Sequence, residues 1–192
     1  MILSKKLSIV LIGGGRWAQI YLNELLKLKF KINVITSNSD LKKKLRNLIS
    51  EVSIYKNLNS IKICKNSLII LCNKTDKRLN ILRKIKNLRN KILVEKPFTN
   101  NPTDYQDYKF YKKKNIYLSL QFYFAEYFRS IKKEIIGEKI NNISLIWYDS
   151  INEKKTFNKK LHFIEDAYYH FFSIIRIFLN NKNLVNNFSR VK

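Results

Sequence analysis

Apolar positions along the chain follow two alternating periods. Leu7-Ser8-Ile9-Val10-Leu11-Ile12 is a short, nearly continuous apolar run rich in β-branched residues, the pattern of a strand buried on both faces of a parallel sheet. Glycines end it. From Trp17 to Lys29 the residues Ala18, Tyr21, Leu22, Leu25 and Leu26 recur at helical spacing, and Phe30 to Thr36 reads as a second strand. A right-handed crossover makes the two strands parallel. The alternation continues. Asp40 is expected to cap a helix through Ile49, and Val52 to Tyr55 and Leu68 to Cys72 are expected strands. Thr75 or Asp76 is the expected cap of a helix to about Arg89, and Lys91 to Glu95 a strand stopped by Pro97. Thr103 is expected to cap a polar, tyrosine-rich helix before a strand Ile116 to Leu120. Strands alternating with helices over this length predict a doubly wound α/β domain.

Beyond Gln121 the pattern changes. A helix from about Ala125 to Ile136 ends at Gly137, a strand is expected over Ile140 to Tyr148, and an apolar helix over Phe163 to Leu179 follows a charged loop. The end of the alternation divides the chain into residues 1–122 and 123–192, and 192 residues suffice for one domain and part of another.

Composition adds a strong positive charge, formally +24, which ordinarily raises nucleic acid or an anionic membrane as partner. Lysines occur in nearly every segment together with abundant Ile and Asn, all specified by A/T-rich codons, rather than in one arm or stripe. A solvated-face reading is therefore preferred and nucleic acid is not expected. Cys64 and Cys72 lack metal or disulfide spacing, which fits a reduced, cytoplasmic setting. The apolar run after Lys5 and Lys6 is too short for an export core, and no uncharged segment approaches a membrane span. A soluble, unexported protein is expected.

Chemistry enters at four places. Gly13-Gly14-Gly15-Arg16-Trp17-Ala18 fits the G-x-G-x-x-G/A fingerprint between a strand and a helix. Gly13 allows the tight turn, Gly15 lets a pyrophosphate approach the helix N-terminus, and Ala18 permits close packing, so Gly13, Gly15, Arg16 and Trp17 are candidate dinucleotide contacts. The second strand ends in Thr36-Ser37-Asn38 with no carboxylate before Asp40, and Lys42, Lys43 and Lys44 follow. A hydroxyl-rich turn with Ser37 and nearby ammonium groups suits a 2′-phosphate better than a bare ribose, so NADP is favoured over NAD. The bland alternative is a helix cap followed by a solvated face.

Glu95-Lys96-Pro97-Phe98 closes a parallel strand, where ligands of such sheets bind. A lysine there can stabilise a developing alkoxide while hydride moves to or from nicotinamide. Asp166 and His170 stand four apart in an apolar helix and share a side of it. Hydride transfer to or from an alcohol needs a matching proton transfer, for which histidine is well tuned, although a histidine on an apolar helix is more often a core residue. No metal site is expected, since His162 is the only other histidine.

The order of these motifs resembles the glucose-fructose oxidoreductase, inositol dehydrogenase and rhizopine-catabolism family, Gfo/Idh/MocA. The resemblance rests on the glycine segment, Leu93-Val94-Glu95-Lys96-Pro97 and Asp166-x-x-x-His170, with Gln121-Phe122-Tyr123 and Phe128 to Trp147 between them. It implies a Rossmann doubly wound parallel sheet followed by the beginning of an α+β substrate domain. It implies an NAD(P)-dependent oxidoreductase acting on a hydroxyl or ketone of a sugar-like substrate. Lys96 would lie between nicotinamide and substrate, His170 would be the acid/base, Asp166 would help bind substrate, Asn73 would line the nicotinamide side, and Glu95 would be a further cofactor contact.

Two departures stand out. Cys72-Asn73-Lys74-Thr75-Asp76 lacks the Pro and His of the family's loop. The family's second sheet continues far beyond the Asp-x-x-x-His helix, whereas one strand and an incipient one near Leu184 to Ser189 leave unpaired edges that invite a homo-oligomer. A fragment, a truncated reading frame and a reduced relative are all expectations consistent with this, and the alternative function is a non-catalytic dinucleotide-binding protein.

Overall fold

The computed structural model describes residues 7–46, 51–85, 87–99, 115–138, 140, 142–146 and 163–179. The chain divides into two compact units, Met1–Ser119 and Leu120–Lys192.

Unit one is a six-stranded parallel sheet: β1 Ser8–Ile12, β2 Lys31–Ile35, β3 Val52–Tyr55, β4 Leu68–Leu71, β5 Ile92–Glu95 and β6 Ile116–Ser119. Its strand order is β3-β2-β1-β4-β5-β6, the Rossmann order, with the switch point between β1 and β4. Register runs Ile12↔Ile35 between β1 and β2, Ile12↔Leu71 between β1 and β4, and Glu95↔Ser119 between β5 and β6. The carboxyl ends of these strands thus form one edge.

Apolar runs become strands here because both faces are covered. Helices α1, Arg16–Lys27, and α2, Ser39–Leu45, lay Ala18, Leu22, Leu25, Leu41 and Leu45 against Ile9, Leu11, Ile32 and Val34. Helix α3, Thr75–Lys84, covers the other face, packing Leu79 and Leu82 with Val10, Ile69, Leu71 and Val94. Ala18 is fully buried, so the helix sits close to the sheet.

Three expected details differ. Asn38, rather than Asp40, caps α2, because its side chain accepts from the amides of Asp40 and Leu41, which places Asp40 inside the first turn. Lys74 precedes α3 without a side-chain cap, and the helix ends at Lys84 rather than near Arg89. The helix expected after Thr103 and the end of the one expected through Ile49 lie outside the described residues.

In unit two, a 3-10 turn Gln121–Phe124 leads into α4, Glu126–Glu134, and the apolar helix is α5, Phe163–Phe178. The strand expected from Ile140 is not formed over residues 140 and 142–146. A strand needs a partner to satisfy its amides and carbonyls, and no other strand is present among the described residues of this unit. The region near Leu184 lies outside the described residues.

Candidate functional site

Gly13 stands between the ends of three strands. Its amide donates to the Ile35 carbonyl at 3.0 Å, and the Cys72 amide donates to the Ile12 carbonyl at 2.8 Å. Gly13 has φ +142°, and a β-carbon there would lie 2.7 Å from the carbonyl carbon of Cys72, so the position requires glycine on two counts. Gly14 is blocked by Thr36, whose hydroxyl oxygen would lie 2.2 Å from an added β-carbon.

Gly15 is the contrast. Its φ is −80°, and apart from Gly15 and its two chain neighbours no atom of the described residues lies within 4 Å of where a β-carbon would be. Helix α1 starts at the next residue with no side chain bonded to its first amides. Those amides have no intrahelical acceptors, and the helix dipole adds partial positive charge. Chain packing accounts for Gly13 and Gly14, whereas among the described residues nothing crowds Gly15, and the open space lies beside uncapped amides of the kind that favour anions. The exposed Arg16 and Trp17 begin the same turn.

At the end of β2, Thr36 is buried and its hydroxyl accepts from the Asn38 amide at 3.1 Å. The Asn38 side chain also donates to the Gly14 carbonyl at 2.7 Å, so cap and glycine turn brace each other. Ser37 between them is exposed. Lys42, Lys43 and Lys44 occupy the last turn of α2, where they also complement the carbonyl end of that helix.

The ends of β4 and β5 carry the densest polar cluster. Glu95 is only 2% exposed. The Tyr21 hydroxyl, from α1, donates to its Oε1 at 2.8 Å and lies 2.7 Å from the Ser119 hydroxyl. Tyrosine has one proton, and it is committed to the carboxylate, so Ser119 donates to Tyr21. The register pair Glu95↔Ser119 explains how one hydroxyl reaches both. Burial first, and then the negative charge of Glu95, push the Tyr21 phenol well above its ordinary value, against the opposing effect of the Ser119 bond. Burial, followed by Glu95, likewise pushes the Cys72 thiol up.

Two buried acceptors in this region have no partner among the described residues: Glu95 Oε2 and Asn73 Oδ1. Orphaned acceptors are costly, and a ligand offering amide or hydroxyl donors would satisfy them. Asn73 directs its Nδ2 to the Lys74 carbonyl at 3.0 Å. Below the edge, the buried Arg78 of α3 donates through Nε to the Asn73 carbonyl at 3.1 Å and through Nη1 to the carbonyls of Glu95 and Pro97. Lys96, half-buried, lies between those two residues, and its peptide bond to Pro97 is cis.

The structure therefore places Gly13, Gly15, Arg16, Trp17, Ser37, Asn73, Glu95 and Lys96 in unit one, all following the carboxyl ends of β1, β2, β4 or β5 or, for Glu95, closing β5 itself. Asp166 and His170 belong to unit two, one turn apart in α5. His170 is buried on the stripe that continues through Ser173, Ile174 and Ile177. Its ring lies 4.8 Å from that of Phe122, nearly edge-on, and its carbonyl accepts from the Ser173 hydroxyl at 2.8 Å.

Sequence reasoning gave no site role to Tyr21, Asn38, Arg78 or Ser119, although Tyr21 stood in the apolar stripe of the first helix and Asn38 in the turn after the second strand. The available signal was a polar atom on an otherwise apolar stripe: Thr75, Arg78, Leu79 and Leu82 make the buried side of α3. An open, mostly apolar cavity of about 360 Å³ lies on the α3 face, lined by Ile12, Ile35, Leu58 and Ile81 among others. None of the expected site residues lines it, so the polar cluster at the strand ends is the better guide to chemistry. Among the described residues no group of three or more His, Cys, Asp or Glu could hold a metal, and no helix is long and apolar enough to cross a membrane.

No family model matches the sequence, and no curated protein does. Solved structures do match. The apo scyllo-inositol dehydrogenase of Lactobacillus casei aligns with a TM-score of 0.58 at 11% identity, over 70% of this chain and 43% of that one. Unit one has the Rossmann fold of these dehydrogenases. GenD2 from gentamicin A biosynthesis, solved in complex with NAD, aligns with a TM-score of 0.58 at 12% identity over 71% and 41% of the two chains. The dehydrogenase MviM of Clostridium difficile gives 0.55 at 20% identity over 67% and 44%. The chain thus spans about two fifths of the length of these neighbours.

Proposed function

We propose that the chain is an NAD(P)-dependent oxidoreductase that transfers hydride between nicotinamide and a hydroxyl or ketone of a sugar-like substrate, with unit one binding the dinucleotide. The observation that carries the reading is Gly15: an uncapped helix start whose open side no atom of the described residues fills, at the switch point of a Rossmann sheet. The residues present fit a dinucleotide. The α1 amides and Arg16 would hold the diphosphate, and the orphaned oxygens of Asn73 and Glu95 would accept from the nicotinamide half. The missing carboxylate at Thr36-Ser37-Asn38 favours NADP over NAD.

Nicotinamide, when bound, supplies or takes the hydride. Lys96 would hold the substrate oxygen and stabilise negative charge developing on it, and the Tyr21 bond to Glu95 would keep the carboxylate beside it oriented. Asp166 would bind a substrate hydroxyl, and His170 would exchange the proton that balances hydride movement.

Burial of His170 against Phe122 favours a second reading, a dinucleotide-binding protein without turnover, because a proton-transfer group must reach substrate. Turnover assays separate the two. With a panel of polyols and ketoses, the absorbance of reduced nicotinamide should change with the native chain and stay flat with Lys96→Met and His170→Ala. Binding of dinucleotide with no turnover on any substrate would support the second reading, and turnover undiminished in both variants would remove their assigned roles.

A further inference from the structure

Arg78 is 5% exposed, and a buried guanidinium is retained only where its donors are well used. We infer that Arg78 is a positioning residue for Lys96, an inference that rests on Lys96 standing beside the nicotinamide. Its Nη1 donates to the carbonyls of Glu95 and Pro97, the residues immediately before and after Lys96. The Glu95 carbonyl lies in the peptide plane that enters Lys96 and the Pro97 carbonyl in the plane one residue beyond it, so the fork grips the backbone on both sides of Lys96 and restrains the direction in which its side chain leaves. The Nε bond to the Asn73 carbonyl joins the same fork to the end of β4. That bond anchors the guanidinium itself, so the fork meets the Glu95 and Pro97 carbonyls in one geometry.

Arginine suits this task because its donors form a rigid plane that can reach three carbonyls at once. A lysine would keep the charge but, as a point-like ammonium on a flexible stem, could not hold all three in one geometry. Arg78 touches neither substrate nor cofactor in this account. It acts through the backbone of Lys96, so its loss should matter only while Lys96 is present.

A double-mutant cycle on the full chain tests this by calorimetry with two probes, NADPH and 2′-phospho-ADP-ribose, which keeps the adenosine and diphosphate but lacks nicotinamide. If the chain prefers the unphosphorylated cofactor, NADH and ADP-ribose replace them. Arg78→Met should leave affinity for the fragment within about twofold while lowering the dinucleotide-to-fragment affinity ratio about tenfold. Lys96→Met should lower the ratio similarly, and the double variant no further than Lys96→Met alone. A merely structural role would weaken both probes together, or would add to the Lys96 effect. Should Arg78→Met fail to fold by circular dichroism, Arg78→Lys is read by the same criteria and is expected to lose the same ratio. An unchanged ratio, or additive losses, overturns the inference while leaving the dinucleotide reading standing. If the native chain binds neither probe, the dinucleotide reading falls and the inference falls with it.

Discussion

The hydroxyl of Tyr21 donates to the buried carboxylate of Glu95 across 2.8 Å, joining the helix that follows the glycine turn to the strand that delivers Lys96. Seventy-four positions separate the two residues in the chain. Through this bond, the element that would hold the diphosphate and the strand end that would hold the reacting groups keep one relative position.

Removing that donor leaves Glu95 buried with both oxygens unpartnered, since Oε2 already lacks a partner. Tyr21→Phe should therefore lower stability by about 1–3 kcal/mol, the usual cost of stranding a buried acceptor, with little loss of packing. Urea denaturation of the two proteins measures it. A midpoint equal to that of the native chain would show that the bond does not support the fold.

The glycines should separate folding from binding. At Gly13 a β-carbon meets the Cys72 backbone at 2.7 Å, so Gly13→Ala should fold poorly. At Gly15 the chain leaves room, so Gly15→Val should keep its circular dichroism spectrum and lose dinucleotide affinity by about tenfold or more. Equal thermal stability of Gly13→Ala and the native chain would contradict the turn geometry.

Thiol chemistry should distinguish Cys64 from Cys72. Cys64 is exposed, whereas Cys72 is buried and its thiol is pushed up by burial and by Glu95, so it stays protonated. The native protein should take up one equivalent of a thiol reagent near neutral pH, and the unfolded protein two. Rapid modification of both in the folded state would contradict the burial of Cys72.

Alkaline pH should destabilise the fold through the same cluster. Tyr21 and Cys72 are both raised above their ordinary values of 10.0 and 9.0, so the folded chain keeps protons that the unfolded chain releases. The sign follows directly: stability is fully present below about pH 9 and declines as pH rises toward the folded values. Urea midpoints measured upward from pH 8 should fall, and Cys72→Ala should flatten part of the slope. A midpoint that held constant or rose would contradict the linkage.

Much of unit one was legible because its signals are local. Val52 to Tyr55 forms a strand with the expected bounds, and the Gly13 to Ala18 turn carries its spacing within six residues. What periodicity could not show depends on residues far apart in sequence. Ser119 reaches Tyr21 across 98 positions, and Arg78 reaches Pro97 across 19, and hydrophobic spacing names neither partner even where, as at Arg78, a polar residue interrupts an apolar stripe. Asp40 lost the cap to Asn38 because Asn38 also bonds the Gly14 carbonyl, a tertiary contact that placed the helix start two residues earlier. The run from Ile140 reads as a strand by composition, yet residues 142–146 form none, because a strand is completed by its neighbour and not by its own residues.

Every role proposed for unit one requires a diphosphate resting against the first amides of α1 beside Gly15. Calorimetric titration of the full chain with NADPH and with NADH tests that most directly. One saturable site per chain is predicted, tighter for NADPH, and weakened about tenfold or more in folded Gly15→Val. No binding of either dinucleotide, or equal binding by Gly15→Val, would contradict it.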